Sequence, residues 1–197
     1  MVAQAENKTT PDLELAQRAS RGNRVAALTL ARRLLPRVRA TVRYLVADDR
    51  DADDLVQMCL VEVLRVIGKY SGTGALERWA DRVVARYALR QITRRRWREG
   101  IVTLDPERTG SAAASQHADL ERQQLRQRVA ALLGHLSPER RTVVVLHWVR
   151  GYSIGEVAEM TDTRVNTVRG RLRTAKRQLL ELIPDDPVLR VWAEARL

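Results

Sequence analysis

Apolar positions recur along this chain at three- and four-residue intervals and nowhere alternate, so helices are predicted throughout and strands nowhere. Met1 to Thr10 are polar, without periodicity, and are expected to be disordered. Asp12 is placed to cap a short helix, LELAQRAS, ended by Gly22. A longer helical pattern runs from about Val25 to Val46, and Pro36 inside it predicts a kink or a break near Leu35. Asp48, Asp49 and Arg50 make a polar turn, after which Asp51 opens the helix DADDLVQMCLVEVLRVIGKY, its early acids complementing the helix dipole. Gly68 to Gly74, GKYSGTG, is a loop signal. The next helix, about Ala75 to Arg98, carries Trp79, Val83, Val84, Tyr87, Ala88 and Ile92 on its apolar side.

From Ile101 to about His117 the periodicity collapses into VTLDPERTGSAAASQH, a composition that marks a linker. A helix follows from about Asp119 to Gly134, and Ser137-Pro138-Glu139 starts another that reaches Gly151. Ser153 to Arg177 then reads as a short helix, a tight polar break and a second helix. Ile154, Val157, Ala158, Val165, Val168, Leu172 and Ala175 form its inward stripe, with Thr163 placed to cap the second helix. Asp162 in the break is expected in the left-handed conformation. Pro184 and Pro187 stop that helix before a short tail. The fold class is all-α: a helical domain over 11–98, a flexible linker over 99–118, a second helical domain over 119–184, and a tail over 185–197.

Charge adds a partner to this outline. The chain carries 35 Lys and Arg against 24 Asp and Glu, net +11. That balance favours a polyanion, either nucleic acid or an acidic membrane surface. The positive charge is clustered. Arg78, Arg82, Arg86, Arg90 and Arg94 recur every four residues on one helix, forming a slowly winding ridge. Like charges at that spacing repel by about 0.2–0.5 kcal/mol per pair, a strain that a bound anion offsets. In the second half, Arg164, Arg169, Arg171, Arg173, Lys176 and Arg177 turn one helix basic without an acid among them. Two helices with a short turn, the second cationic on its outer face, describe a DNA-reading helix-turn-helix.

Other chemistry is thin. Cys59 is the sole cysteine, so no intrachain disulfide or cysteine zinc cluster is possible, and three scattered histidines lack metal spacing. No apolar run reaches membrane-spanning length, and no signal pattern opens the chain. A soluble, intracellular, cytoplasmic protein is expected, with no metal, no cofactor, no catalytic residue and no membrane insertion. The cluster Asp48, Asp49, Asp51, Asp53 and Asp54 is better explained by capping and docking than by catalysis.

The order of motifs carries a family resemblance: an acidic-capped DADDLVQ helix, a Gly-rich loop, a Trp- and Arg-bearing helix ending in RRR, a loose linker, an LSPERR helix, and YSIGEVAEM followed by TVRGRL. Over about Leu13 to Ile183 the chain resembles a sigma-70 family initiation factor of bacterial RNA polymerase. It is similar to the small extracytoplasmic-function group, which keeps only regions 2 and 4. The resemblance implies that Asp53, Asp54, Leu55, Val56 and Gln57 dock on the β′ clamp of core polymerase, with the second domain at the β flap. It implies that the loop from Lys69 to Leu76 captures a base of the −10 element, with Tyr70 or Trp79 available to stack on it. The ridge of Arg78, Arg82, Arg86, Arg90 and Arg94 would hold the DNA backbone as it opens. The helix with Arg164, Asn166, Thr167, Arg169, Arg171, Arg173 and Lys176 would read the −35 element. An anti-sigma factor, in some cases membrane-bound, is the implied restraint, and association with the nucleoid the implied active state.

Two other classes compete. A stand-alone helix-turn-helix regulator would bind duplex operator without polymerase, as a dimer on a two-fold site. A nucleic-acid enzyme would need a metal-binding carboxylate cluster or a nucleophile beside a base. The Arg ridge in the first half argues against the regulator, and the absence of either constellation argues against the enzyme.

Overall fold

The computed structural model describes residues 11–46, 52–99, 117–183 and 190. The segment 1–10, the expected turn at Asp48, Asp49 and Arg50, nearly all of the expected linker and the tail (save Arg190) lie outside the described residues. Among the described residues there are helices and no strands. Helices α1 (Pro11–Ser20), α2 (Arg24–Leu45), α3 (Ala52–Arg65) and α4 (Leu76–Glu99) make a first bundle. Helices α5 (His117–Gly134), α6 (Pro138–Val144), α7 (Ile154–Thr161) and α8 (Val165–Glu181) make a second.

Leu30, Leu34, Val38 and Val42 descend one face of α2 at four-residue steps, all at most 1% exposed. They meet Leu55, Cys59 and Val63 of α3 and Ala80, Val84 and Ala88 of α4 in the same core. Burying each such Leu or Val contributes about 1.5–3 kcal/mol before entropy is counted. Asn23 caps α2 by accepting from the Ala26 amide at 2.9 Å. Asp12 lies inside α1 rather than at its cap, and its carboxylate pairs with Arg33 of α2 at 2.5 Å. Arg33 also reaches Glu77 of α4, so one guanidinium ties three helices. Pro36 does not break α2, which is continuous to Leu45. The proline and Arg32, whose carbonyl loses its i+4 donor, both face solvent, where water satisfies the freed group.

A 3₁₀ turn (Ile67–Lys69) leads from α3 into the glycine loop. Gly72 has φ +79°, and a Cβ there would stand 3.0 Å from Leu13 Cδ2, so only glycine lets the loop press on α1.

In the second bundle Ser137 caps α6 and Pro138 is its first residue, as the sequence predicts. The helix then widens into a π turn, Val145–Val149, closed by the Arg150 amide on the Val145 carbonyl at 2.9 Å. Gly151, at φ +73°, reverses the chain so that Tyr152 returns to the core at 1% exposure. Ser153 and Glu156 close a capping box on α7. Asp162 adopts the expected left-handed geometry at φ 53°. Arg164, not Thr163, is the N-cap of α8, and it makes no side-chain cap bond. The Thr163 hydroxyl is instead engaged with that of Thr161 at 2.9 Å. Val165, expected in the core, is 39% exposed, because the first residue of α8 precedes the point where its apolar stripe turns inward. Val168, Leu172, Ala175 and Leu179 are the buried stripe.

The two bundles touch. α2 packs on α5 and α6, and α4 packs on α6 and α7.

Candidate nucleic-acid interface

Two cationic surfaces stand out. On α4 the residues Arg78, Arg82, Arg86, Arg90 and Arg94 are all exposed, while Ala80, Val84, Ala85 and Ala88 are buried opposite them. The ridge predicted from four-residue spacing is therefore a real surface feature. Its members differ in what they touch. Arg82, Arg90 and Arg94 make no hydrogen bond or ion pair with a described residue. Arg78 forms an ion pair with Glu156 of α7 and lies over the Tyr152 ring, 4.5 Å from its centroid. Arg86 donates Nε to the Met160 carbonyl at 3.1 Å and Nη2 to the Glu159 carbonyl, both at the C-terminal end of α7.

On α8, Arg164, Asn166, Thr167, Arg169, Arg173 and Lys176 are exposed and Arg171 is half-buried. Asn166 accepts from Arg169 at 3.3 Å, a contact weak enough to exchange for a ligand. The helix is held from behind by Val168, Leu172, Ala175 and Leu179, which seat it on α6 and α7. The result is a helix whose cations face solvent on a rigid support.

On α3, Asp53, Asp54 and Gln57 are exposed, whereas Leu55 and Val56, expected with them, are buried at 4% and 2% and hold the helix in the core. Met58 and Val61 are the apolar members of the exposed face, at 41% and 65%. Asp54, Gln57, Met58 and Val61 share one side of the helix by their three- and four-residue spacing. That spacing was available in the sequence and marks them out from Leu55 and Val56.

In the loop, Lys69 is exposed but Tyr70 is 4% exposed. Its hydroxyl donates to the Gly74 carbonyl at 2.7 Å, so Tyr70 braces the loop instead of offering a free ring. Trp79 is half-buried with its ring tilted against that of Tyr70, centroids 5.7 Å apart.

Between the bundles lies a polar joint that the sequence does not announce. Asp81 of α4 is 1% exposed and accepts from Arg37 Nη2 at 2.7 Å and from the Tyr152 hydroxyl at 2.6 Å. The Asp81 hydrogen bond holds the Arg37 guanidinium above its usual range, and burial, then the bond to Asp81, pushes the Tyr152 phenol up to about 12. Arg150, on the turn after the π segment, donates to the Arg37 carbonyl at 2.9 Å and to the Thr41 hydroxyl. Its buried Nε has no partner among the described residues, and burial draws its pKa down. Arg141, 4% exposed, donates to the carbonyls of Leu133, Gly134 and Leu136 and crosses to Leu45 of α2 at 3.0 Å. The one sequence signal for this joint is Asp81 itself, an acid inside the apolar stripe of a basic helix, which must meet a cation or hydroxyl when buried.

Comparison with known proteins agrees with this layout. The Sigma-70 region 2 family matches residues 30–98, and Sigma-70, region 4 matches residues 126–179. The ECF RNA polymerase sigma factor SigE of Mycolicibacterium smegmatis is 28% identical over 155 residues, which are 78% of this chain and 60% of that protein. The chain thus spans less than two thirds of that relative. The RNA polymerase sigma-H factor of Pseudomonas aeruginosa is 25% identical over 187 residues, 91% of this chain and 96% of that protein. Among solved structures, CnrH in complex with the cytosolic domain of CnrY superposes with a TM-score of 0.58 at 26% identity, over 89% of this chain and 98% of that one. The sigma factor RpoE of Bartonella quintana, solved with the anti-sigma factor NepR, shares the fold with a TM-score of 0.61 at 21% identity, over 80% of this chain and 96% of that one. With region 2 on the bundle that carries the α4 ridge and region 4 on the bundle that carries α8, the chain belongs to the sigma-70 family, in its extracytoplasmic-function group.

Proposed function

We infer that the chain is a transcription initiation factor that binds core RNA polymerase, brings it to a two-part promoter and helps to open the DNA there. The observation that carries this reading is the pair of exposed arginine surfaces, α4 and α8, set on separate bundles in region 2 and region 4 order. Two weak DNA contacts joined by a tether multiply through effective concentration, which suits a promoter read at two places.

Each surface takes a role. The α8 cations Arg164, Arg169, Arg173 and Lys176 read a −35 element in the major groove, with Arg171 half-buried between them on the same helix. Asn166 and Thr167, exposed at the start of α8, suit a phosphate at the helix N-terminus. Arg82, Arg90 and Arg94 track the −10 backbone, beside the Lys69–Gly74 loop and Trp79. The docking face for polymerase is Asp53, Asp54 and Gln57 with Met58 and Val61, acids beside exposed apolar groups. Such a factor positions DNA and protein and carries out no bond chemistry of its own. No described helix is long and apolar enough to cross a membrane, which fits action beside polymerase in the cytoplasm and on the nucleoid. Because CnrH was solved with the cytosolic domain of CnrY and RpoE with the anti-sigma factor NepR, an anti-sigma partner is part of the proposal.

The test is a pull-down with core polymerase together with promoter-dependent run-off transcription. Replacing Arg169 and Arg173 by Ala is expected to cut promoter-specific transcripts at least tenfold, an effect of about 1.4 kcal/mol, with core binding intact. Replacing Asp53 and Asp54 by Asn is expected to weaken core binding first. No core binding by the unaltered chain, or one shared defect for both pairs, overturns the reading.

A further inference from the structure

We propose that Gly170 is a specificity-determining residue: it leaves one base pair unread at the middle of the element that α8 recognises. This rests on the reading of α8 as the helix that lies in the major groove at −35, and adds to it which part of that site is discriminated.

Nothing in the fold asks for glycine at this place. Gly22, Gly72, Gly74 and Gly151 have positive φ, whereas Gly170 keeps the ordinary backbone of α8. A Cβ built on it meets nothing within 4 Å, so no neighbour excludes a side chain. Glycine in the middle of a helix nevertheless weakens it relative to alanine. Packing inside the protein gives no reason for that weakness, which leaves the outward side of α8.

The place of Gly170 on the helix supplies a reason. Val168 and Leu172, both buried, stand two residues before it and two after it. Two residues turn an α-helix by about 200°, so Gly170 faces directly away from the buried stripe. The residues one turn to either side of it are Asn166, Thr167, Arg173 and Thr174, all of which carry hydrogen-bonding groups. Gly170 is thus an empty centre in a ring of polar side chains. Base pairs in the major groove are told apart by donors, acceptors and methyl contacts at their edges. Glycine brings none of these, and the helix ladder engages its amide and carbonyl. From Gly170 to Arg173 the helix advances about 4.5 Å, enough to set the arginine over a different base pair, since pairs stack about 3.4 Å apart. The pair beneath Gly170 is therefore passed over while its neighbours are read.

The test is a gain of reading. Full-length chain is bound to core polymerase, the complex retains duplexes from a pool of random sequence, and the retained DNA is sequenced. For the unaltered chain the −35 motif is expected to hold one nearly uniform position flanked by discriminated ones. Gly170→Asn places there an amide that suits N6 and N7 of adenine, and should raise the preference for adenine roughly tenfold at that position alone. Gly170→Ala supplies a methyl group for the thymine methyl and should favour thymine there about threefold. The alanine variant is expected to strengthen the helix, so its result does not depend on a damaged fold. Arg173→Ala should flatten a neighbouring position instead. If the unaltered chain discriminates at the position that the two Gly170 variants alter, or if neither variant alters the motif while Arg173→Ala does, Gly170 has no part in specificity and the −35 role of α8 stands. If Arg173→Ala also leaves the motif unchanged, the groove reading of α8 fails, and the role of Gly170 with it.

Discussion

Arg141 shows how much one side chain carries in a small helical protein. Its guanidinium donates to the carbonyls of Leu133, Gly134 and Leu136, at and just past the end of α5, and to Leu45 at the end of α2. A charged group at 4% exposure is tolerable because its donors meet acceptors on several sides. Cys59 is the opposite case, a polar-capable atom with nothing to do. It is fully buried in the α2–α3–α4 core, and burial, with a smaller push from Glu62, raises its thiol to about 12. At pH 8 an ordinary thiol with pKa about 8.5 is partly thiolate, so Cys59 should react roughly a thousandfold more slowly than that. Mass spectrometry after brief exposure to a disulfide reagent should find no adduct on the folded chain and one after denaturation in urea. Rapid modification without denaturant would mean that the first bundle opens locally far more often than its packing implies.

At the scale of the element, α8 has a weakness that can be corrected. Gly170 sits mid-helix, exposed, and a Cβ built there meets nothing within 4 Å. Glycine in a helix interior costs about 0.5–1 kcal/mol relative to alanine. Gly170→Ala is therefore expected to raise stability by about that amount, seen as a higher urea midpoint with unchanged slope. A lower midpoint would mean that α8 is distorted at that turn. The helices themselves were legible because their signals are local. Apolar spacing located α2, α3, α4 and α8 to within a few residues, Ser137-Pro138 marked the start of α6, and Asp162 marked the left-handed turn. Failures followed from the same locality. Thr163 is as good a cap as any by composition, yet the chain enters α8 one residue later and its hydroxyl goes to Thr161. Leu55 and Val56 were read with their acidic neighbours along the sequence, whereas the helix turns them to the opposite side. Tyr70 looked available for stacking until the loop closed on its hydroxyl. The π turn after Val144 has no composition of its own, since every residue in it would serve equally well in an α-helix.

Over the whole molecule the joint decides the behaviour, and it was the least legible feature because its members come from α2, α4 and the segment after α6. Its titration can be worked out from the groups that face one another: Asp81, Arg37, Arg150, Tyr152, Tyr44, Arg78, Glu156 and His147. The Glu156 carboxylate is held down to about 2, by the Ser153 amide first, then Arg78 and the Ser153 hydroxyl. A depressed carboxylate contributes its full stabilisation above its ordinary value of 4.5 and loses it as pH falls through about 2. Tyr152 is the mirror case. The neutral phenol is the form bonded to Asp81, and with its pKa raised from 10.0 to about 12 its contribution is complete below 10.0 and is lost as pH rises through about 12. His147 lies at the edge, its Nδ1 2.6 Å from the Tyr152 carbonyl, which can only accept, so the ring donates there in either charge state. Nothing at the joint changes its bonding through the neutral range. The distance between labels on α2 and α8 should therefore be constant from about pH 5 to pH 9 at fixed salt, lengthening only in stronger acid or base. A change of distance within that range would overturn this account of the joint. A flat profile excludes protons as what moves the two bundles relative to one another, because the groups that hold the joint together titrate only outside that range.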